Sequence, residues 1–234
     1  MKFCYCPPGS FMMGSSVNES GHYQDEKQVS VRISKGFWMA RTECTQAQWT
    51  ALMNSNPSEF RGVTLPVENV SWDEVQNFLA ELNQSVTAAP RWKFVLPSEA
   101  QWEYACRAGT QTPFSFGEAL NGNEANCNGN YNPYGTETKG PNLEKTAVAG
   151  SYRPNGWGLY DMHGNVQERC SDWFTEKLPG GVDPIGAAGS YLRAARGGGW
   201  NNSASNCRAA CRDRTTDYYR GSDLGFRVAL IPSP

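Results

Sequence analysis

The chain is poor in histidine, with only His22 and His163 among its 234 residues. Two histidines are too few for a histidine-rich metal site and make a Ser-His-Asp catalytic triad improbable. His163 falls in a glycine-containing turn, where we expect a surface role or a role in packing the turn. The chain also lacks a C-x-x-C pair among its eight cysteines, so structural zinc is not expected. Their even number permits disulfides without requiring them.

An excess of positive charge and long apolar runs are also absent. The net charge is -2, from 21 basic and 23 acidic residues, which gives no global field for nucleic acid or anionic lipid. No apolar run approaches the ~18 residues of a membrane span. The stretch from Met1 to Pro7 has no signal-peptide core, so we expect a cytoplasmic chain or one whose targeting segment has been removed.

What the chain does contain indicates one turn-rich domain. Apolar residues make up 39% and charged residues 19%, and there are 24 glycines and 14 prolines. This composition supports a packed core but not a mostly helical fold. Since no internal repeat or linker divides the chain, we predict a single irregular α+β domain over residues 1–234. We expect it to be a monomer.

Three segments carry a capping box, the S/T-x-x-E/Q pattern that marks the start of a helix. They are Thr45–Gln48, Ser71–Glu74 and Ser98–Gln101. In this pattern the first and fourth side chains satisfy backbone N–H groups reciprocally, and apolar residues at helical spacing follow each box. The sequence therefore predicts three helices.

Strand patterns are short and lie mainly near the two ends. Val29–Ile33 alternates apolar and polar residues, Lys35–Arg41 is aromatic, and Phe226–Leu230 is stopped by Pro232. We expect the strands from both ends to pair in one sheet. The segment from Gly117 to Gly150 is instead rich in Asn and Gly, which is typical of a loop that is functional, held by metal or disordered.

Seven motifs, in order along nearly the whole chain, together resemble the formylglycine-generating enzyme, or sulfatase-modifying factor, family. The motifs are Pro7–Gly14, Thr42–Trp49, Pro66–Trp72, Leu96–Ala105, Pro154–Val166, Arg196–Trp200 and Leu224–Arg227. The resemblance implies a C-type lectin-like fold, rich in loops, with a small twisted sheet and two to three helices. Eight tryptophans, many of them inside these motifs, suit such a fold because large aromatic side chains can fix irregular loops.

The same resemblance implies a structural calcium site in the turn from Asp161 to Glu168. The ligands would be the side chains of Asp161 and Glu168 and the backbone carbonyls of Gly164 and Val166, which are the hard oxygen donors that Ca²⁺ prefers. The alternative is that the two carboxylates are solvated or form salt bridges with arginine.

The catalytic cysteines of the enzymes that this chain resembles are only half matched. Those enzymes carry two cysteines five residues apart that bind Cu(I), but the corresponding positions here are Asn202 and Cys207. We therefore expect no copper and no formylglycine formation. Cys207 is interpreted as a buried thiol or as part of a disulfide, in which Cys106 would pair with Cys207 or Cys211. Two alternatives stay open: a copper-dependent oxidase of a cysteine or small thiol acting through Cys207, and an inactive accessory domain that binds a partner enzyme.

The segment 201–223 lacks large aliphatic residues and is dominated by small polar residues, tyrosine and arginine. Buried segments do not have this composition, whereas binding loops favour Tyr, Ser, Gly and Asn. We therefore predict that this segment is exposed and binds a ligand.

The segment and its fixed flanks are similar to the variable proteins of diversity-generating retroelements. That likeness implies a non-enzymatic protein that binds a protein or glycan, located at the cell surface or secreted. Arg208, Arg212 and Arg227 are assigned to the scaffold. The candidate ligand-binding residues are Asn201, Asn202, Ser203, Ser205, Asn206, Asp213, Thr215, Thr216, Asp217, Tyr218, Tyr219, Gly221, Ser222 and Asp223.

Overall fold

The structure is a computed structural model that describes residues 1–86 and 91–233. Three α-helices lie in these residues: α1 (Gln46–Met53), α2 (Trp72–Ser85) and α3 (Glu99–Arg107). Each begins directly after the Ser or Thr of a predicted capping box, and both reciprocal hydrogen bonds of the box are present. The three predicted helix starts are therefore confirmed.

The strands are short and form three small sheets. In chain order, β1 to β11 are Phe3–Cys6, Gly9–Met13, Val29–Ile33, Phe37–Ala40, Trp92–Val95, Gln167–Trp173, Gly181–Val182, Leu192–Arg196, Arg212–Thr216, Leu224–Gly225 and Ala229–Pro232. The sheets have the strand orders β1-β4-β11-β5, β10-β6-β8-β9 and β2-β3-β7. The α+β prediction is confirmed, with three sheets among the described residues where the sequence predicted one.

The two ends of the chain meet in one sheet, as predicted. Both β1 and β11 are antiparallel to β4, and β11 also pairs with β5. The predicted strand at Phe226–Leu230 is displaced, because β11 runs over Ala229–Pro232 and Pro232 pairs with Trp92 instead of stopping the strand. The backbone carbonyl of Phe226 accepts a hydrogen bond from Cys44, in a loop, and that of Val228 accepts one from Ala40, the last residue of β4.

Aromatic packing fixes the first two helices against the chain end. Trp49 of α1 stacks on Phe78 of α2 with ring centroids 5.3 Å apart, and Phe226 packs edge-on against both rings. All three side chains are buried. Burial of such large apolar surfaces is the main source of stability for a fold with this little regular structure.

Four buried arginines near the C-terminus each form an ion pair with a buried glutamate, and we call this set the arginine frame. The pairs are Arg196 with Glu103, Arg208 with Glu26, Arg212 with Glu99 and Arg227 with Glu168. The glutamates come from distant parts of the chain, so the frame ties the last strands to the rest of the domain. The scaffold role predicted for Arg208, Arg212 and Arg227 agrees with these contacts.

Candidate functional site

The segment 201–223 leaves the sheet after β8 and returns to it as β9. Part of it is buried, in contrast to the prediction: Ala204 and the residues 207–212 have little exposure. They pass beneath the surface because their side chains are either small or, like Arg208 and Arg212, paired with glutamate. What reaches solvent is therefore the start of the segment and everything from Asp213 to Asp223 except Thr215.

The fourteen candidate ligand-binding residues differ in exposure. Four are exposed: Asn201, Asp213, Tyr218 and Tyr219. Tyr218 stands out, since 81% of its surface is open to solvent. The half-buried ones are Asn202, Ser203, Ser205, Asn206, Thr216, Asp217, Gly221, Ser222 and Asp223.

Three candidates have structural contacts that the sequence did not indicate. Thr215 is buried and accepts a hydrogen bond from Arg169 Nη1 at 3.0 Å, so its assignment to the surface is wrong. The Asn202 Oδ1 atom accepts a hydrogen bond from the backbone N–H of Gly199 at 2.8 Å. Asp217 accepts one from Arg193 Nε at 3.0 Å.

Three depressions in the surface meet at Asp213. One of about 150 Å³ extends toward Asn202 and Asn206. A second, of about 400 Å³, extends toward Tyr219 and Asp223. The third is the largest of the three, at about 740 Å³. Because they share Asp213, they form one concave surface, which we call the Asp213 surface.

The largest depression has walls that sequence reasoning missed. They come from the residues 23–25 and from Phe174, Glu176 and Lys177, which are far from the segment in sequence. Arg214, also missed, places its guanidinium 4.9 Å from the centroid of the Phe174 ring. No pattern in the chain connects these residues with the segment, so only the fold brings them together.

Arg169 supports the surface from below. Its fully buried guanidinium donates hydrogen bonds to the carbonyls of Val70 (3.2 Å) and Tyr219 (2.6 Å) as well as to Thr215. Burial lowers its pKa to about 10. At neutral pH it is still a cation, held by neutral oxygen atoms, which fixes the loop that carries Tyr218 and Tyr219.

The thiols beneath the surface are not arranged as nucleophiles. Cys207 is fully buried, and a hydrogen bond with the Cys127 thiol and burial raise its pKa well above the usual value. Burial likewise raises the pKa of Cys211 to about 12. Because the thiolate is the reactive form, both thiols are poor nucleophiles at neutral pH as long as they stay buried.

The predicted disulfides are not formed, since all eight cysteines are free. Cys106 belongs to a different hydrophobic cluster from Cys207, and its thiol lies 3.7 Å from the carbonyl oxygen of Met162. Of the two interpretations of Cys207, the structure shows the buried thiol and gives no support to a pairing with Cys106 or Cys211.

His163 has a packing role. It is buried, and its ring packs edge-on against Phe114 and Phe116. Its Nδ1 donates to the carbonyl of Cys207 at 2.7 Å, and its Nε2 accepts from the backbone N–H of Ser115 at 3.0 Å. Burial lowers its pKa to about 4. Of the two expected roles of His163, the role in packing the turn is confirmed and the surface role is not.

The turn predicted to bind calcium contains a salt bridge, as in the alternative stated for its carboxylates. Both carboxylate oxygens of Glu168 accept hydrogen bonds from Arg227, at 2.5 and 2.6 Å, and one also accepts from Trp102 Nε1 at 2.7 Å. Asp161 accepts a hydrogen bond from the backbone N–H of Gly150 at 2.5 Å. These contacts do not fit a calcium ligand set, because a buried guanidinium already neutralises Glu168. Calcium binding by Asp161, Gly164, Val166 and Glu168 stays a prediction.

The described residues contain neither a cluster of metal-binding side chains nor a membrane-spanning helix. Within residues 1–86 and 91–233, no three His, Cys, Asp or Glu side chains are grouped so that they could hold a metal ion. In the same part of the chain, no helix has the length and apolar character needed to cross a membrane.

The comparisons with known proteins point to one family. Residues 2–231 match the profile of the sulfatase-modifying factor enzyme 1-like domain. The chain is 37% identical to the formylglycine-generating enzyme of Streptomyces coelicolor over 176 residues, which are 70% of this chain and 52% of that enzyme. The chain thus spans about half the length of this relative.

Solved structures share the whole fold. Treponema denticola variable protein 1 superposes with a TM-score of 0.82 at 27% identity, covering 97% of this chain and 94% of that one. PvdO from Pseudomonas aeruginosa gives a TM-score of 0.82 at 26% identity, covering 97% and 93%. The fold is therefore the α+β, C-type lectin-like fold that the sequence predicted.

Proposed function

Because this chain belongs to the sulfatase-modifying factor enzyme 1-like family but has no pair of reactive thiols at its candidate site, we propose that it binds a ligand and performs no chemistry on it. The ligand is a protein or a glycan, bound on the Asp213 surface. The observation that carries this proposal is the meeting of three depressions at Asp213, walled by polar and tyrosine side chains.

The combination of a rigidly held backbone and exposed polar and tyrosine side chains favours ligand binding. The arginine frame and Arg169 hold the backbone of the segment, so little conformational entropy is lost when a ligand binds. Tyr219, which lines the second depression, and the exposed Tyr218 beside it in the chain provide rigid amphipathic contact area with few rotatable bonds. Asn201 and Asp213 add polar groups that can form directional hydrogen bonds with amide or hydroxyl groups of a ligand.

The similarity to Treponema denticola variable protein 1 supports a variable binding surface in the segment 201–223. The proposal is that the exposed positions of the Asp213 surface set specificity, while the arginine frame stays constant. The match to the sulfatase-modifying family supports a shared scaffold. It does not support the same chemistry, because Asn202 occupies the position where a second thiol would be needed.

A binding screen tests the proposal. The folded protein is presented to a glycan array and to a displayed peptide library, and each hit is measured again with the variant D213A/Y218A/Y219A. We expect this variant to weaken binding about tenfold or more, since buried tyrosines at an interface are common hot spots.

Tyr5→Ala is the matched control. Tyr5 is 47% exposed, close to the 46% of Tyr219, but it lies on β1 in another sheet. Hits that weaken equally with both variants, or that survive the triple substitution, would contradict the proposal.

The oxidase alternative has its own test. Oxygen uptake is measured with a cysteine-containing peptide and Cu(I), for the natural chain and for Cys207→Ser. Turnover that depends on Cys207 would replace the binding proposal with a thiol oxidase, whereas the burial of this thiol predicts no turnover.

A further inference from the structure

Two cysteines from distant parts of the chain meet beneath the Asp213 surface. Cys127 is 1% exposed and Cys207 is fully buried, and both belong to one small hydrophobic cluster with Phe114 and Leu120. The neighbouring Cys127 thiol, together with burial, raises the pKa of Cys207. The Cys207 sulfur also lies against Gly198, where an added Cβ would be only 2.7 Å away.

The backbones around these two thiols are also joined. The N–H of Asn128, which follows Cys127, donates to the carbonyl of Asn202 at 2.8 Å. This bond connects the Asn-rich segment 117–150 with the start of the segment 201–223. Apart from such contacts, the segment 117–150 contains no regular helix or strand that would hold it in place.

We infer that Cys127 and Cys207 form a disulfide bond when the protein is in an oxidising environment. The oxidant is a small-molecule disulfide. One cysteine attacks its S–S bond as the thiolate, which forms a mixed disulfide and releases one small thiol. The second cysteine then attacks the mixed disulfide and releases the second small thiol. The two protein thiols lose two protons and two electrons, and the oxidant is reduced to two thiols.

The other buried thiols near this region are less suited to pair with Cys207. Cys106 contacts His163 and the carbonyl of Met162 in another cluster. Cys211 borders the smallest depression of the Asp213 surface, outside the cluster that holds Cys207. The structure therefore selects Cys127 as the partner of Cys207.

The bond would fasten the segment 117–150 to the residues 201–207. Because it closes a loop of about eighty residues, the unfolded chain loses much of its conformational freedom. We expect the melting temperature to rise by roughly 5–15 °C on oxidation. Since both sulfurs are buried, the reaction should be slow and should need local opening of the segment 117–150.

The test uses the full chain, incubated with either oxidised or reduced glutathione. Peptides are then mapped by mass spectrometry without reduction, and the melting temperature is measured. We expect a Cys127–Cys207 cross-linked peptide and the higher melting temperature in the oxidised sample alone. Cys127→Ala should abolish both effects, whereas Cys44→Ala, a buried cysteine of another cluster, should retain them.

Three outcomes would overturn the inference. One is a cross-link from Cys207 to Cys106 or Cys211. A second is the recovery of both thiols in reduced form after prolonged oxidation. The third is an unchanged melting temperature despite the expected cross-link, which would refute the fastening effect. Mapping the natural chain decides the first two even if Cys127→Ala does not fold. None of these outcomes depends on the ligand, so a failure here is distinguishable from a failure of the proposed binding.

Discussion

The arginine frame and the Asp213 surface lie within the same stretch of chain, yet they have opposite physical properties. Arg208 and Arg212 are buried and held by glutamates, while Asp213 and Tyr218 next to them are exposed. Removing one partner of a buried ion pair leaves an uncompensated charge, whereas exposed polar residues contribute little to stability. The fold therefore depends on the frame residues and tolerates changes at the exposed residues.

Strand β9 carries a buried arginine of the frame, Arg212, and an exposed arginine, Arg214, only two positions apart. The guanidinium of Arg212 binds both oxygens of Glu99, at 2.6 and 2.9 Å, and the carbonyl of Thr175 at 2.9 Å. Arg214 is exposed and contacts the ring of Phe174. β9 is the edge strand of its sheet, so one of its sides has no neighbouring strand to cover it.

The largest expected effect comes from breaking the frame. Arg212→Met should lower the free energy of unfolding by roughly 3–5 kcal/mol, because Glu99 would stay buried beside Arg196 with one cation fewer. Arg214→Met on the same strand should change it by less than about 0.5 kcal/mol. Urea denaturation of both variants measures the difference. Equal losses would refute the division between frame and surface.

The next effect concerns the turn that leads from the frame to the surface. Gly198 has a φ of +68°, and a Cβ there would lie 2.7 Å from the Cys207 sulfur. Gly198→Ala should therefore cost about 2–4 kcal/mol, combining backbone strain with overpacking. Gly109→Ala is the matched control, because its φ is +92° but nothing lies within 4 Å of the added carbon. It should cost about 1 kcal/mol, so a similar loss in both variants would leave the packing argument without support.

A pH-dependent effect tests a buried carboxyl group next to the frame and leaves the residues of the Asp213 surface unchanged. Burial, and then the charge of Glu99, raise the pKa of Asp172 from 3.8 to about 6. A raised acid pKa means that the folded state binds the proton more tightly, so this group makes the fold less stable as the pH rises from about 4 through about 6, and the change levels off above about pH 7. Asp172→Asn does not titrate, and its stability relative to the natural chain should therefore rise by about 2 kcal/mol over this range. Denaturation curves between about pH 4 and pH 7.5 test this, and a constant difference would be the opposite result.

The smallest expected effect is at the exposed positions. Tyr218→Ala should change the free energy of unfolding by no more than about 0.5 kcal/mol, because 81% of the side chain is already in water. Denaturation in urea measures it. A loss of about 2 kcal/mol would show that this tyrosine supports the fold and is not reserved for recognition.

Local patterns in the sequence predicted the helices well because each capping box lies within four residues. The scaffold arginines could also be predicted from the family resemblance. The inward side of β9 could not, because Thr215 is buried only through its register opposite Arg193 and its contact with Arg169. Such contacts depend on strands that are far apart in the chain.

The remaining differences have the same origin. Cys207 lies next to Cys127 and not Cys106 because the irregular segment 117–150 folds back under the surface, and no periodic pattern encodes that path. The wall formed by Phe174 and the residues 23–25 likewise exists only after folding. The C-terminal strand also begins three residues later than predicted, since the carbonyl of Phe226 bonds to Cys44 in a distant loop and is not paired in the sheet.

The most direct test of this account compares two libraries of the full chain, displayed on cells and sorted for folding by resistance to protease. One library is randomised at Asn201, Asp213, Tyr218 and Tyr219, and the other at Arg196, Arg208, Arg212 and Arg227. We predict that most members of the first library remain folded and that nearly all members of the second do not. A first library that unfolds as often as the second would contradict the claim that the surface varies independently of the fold.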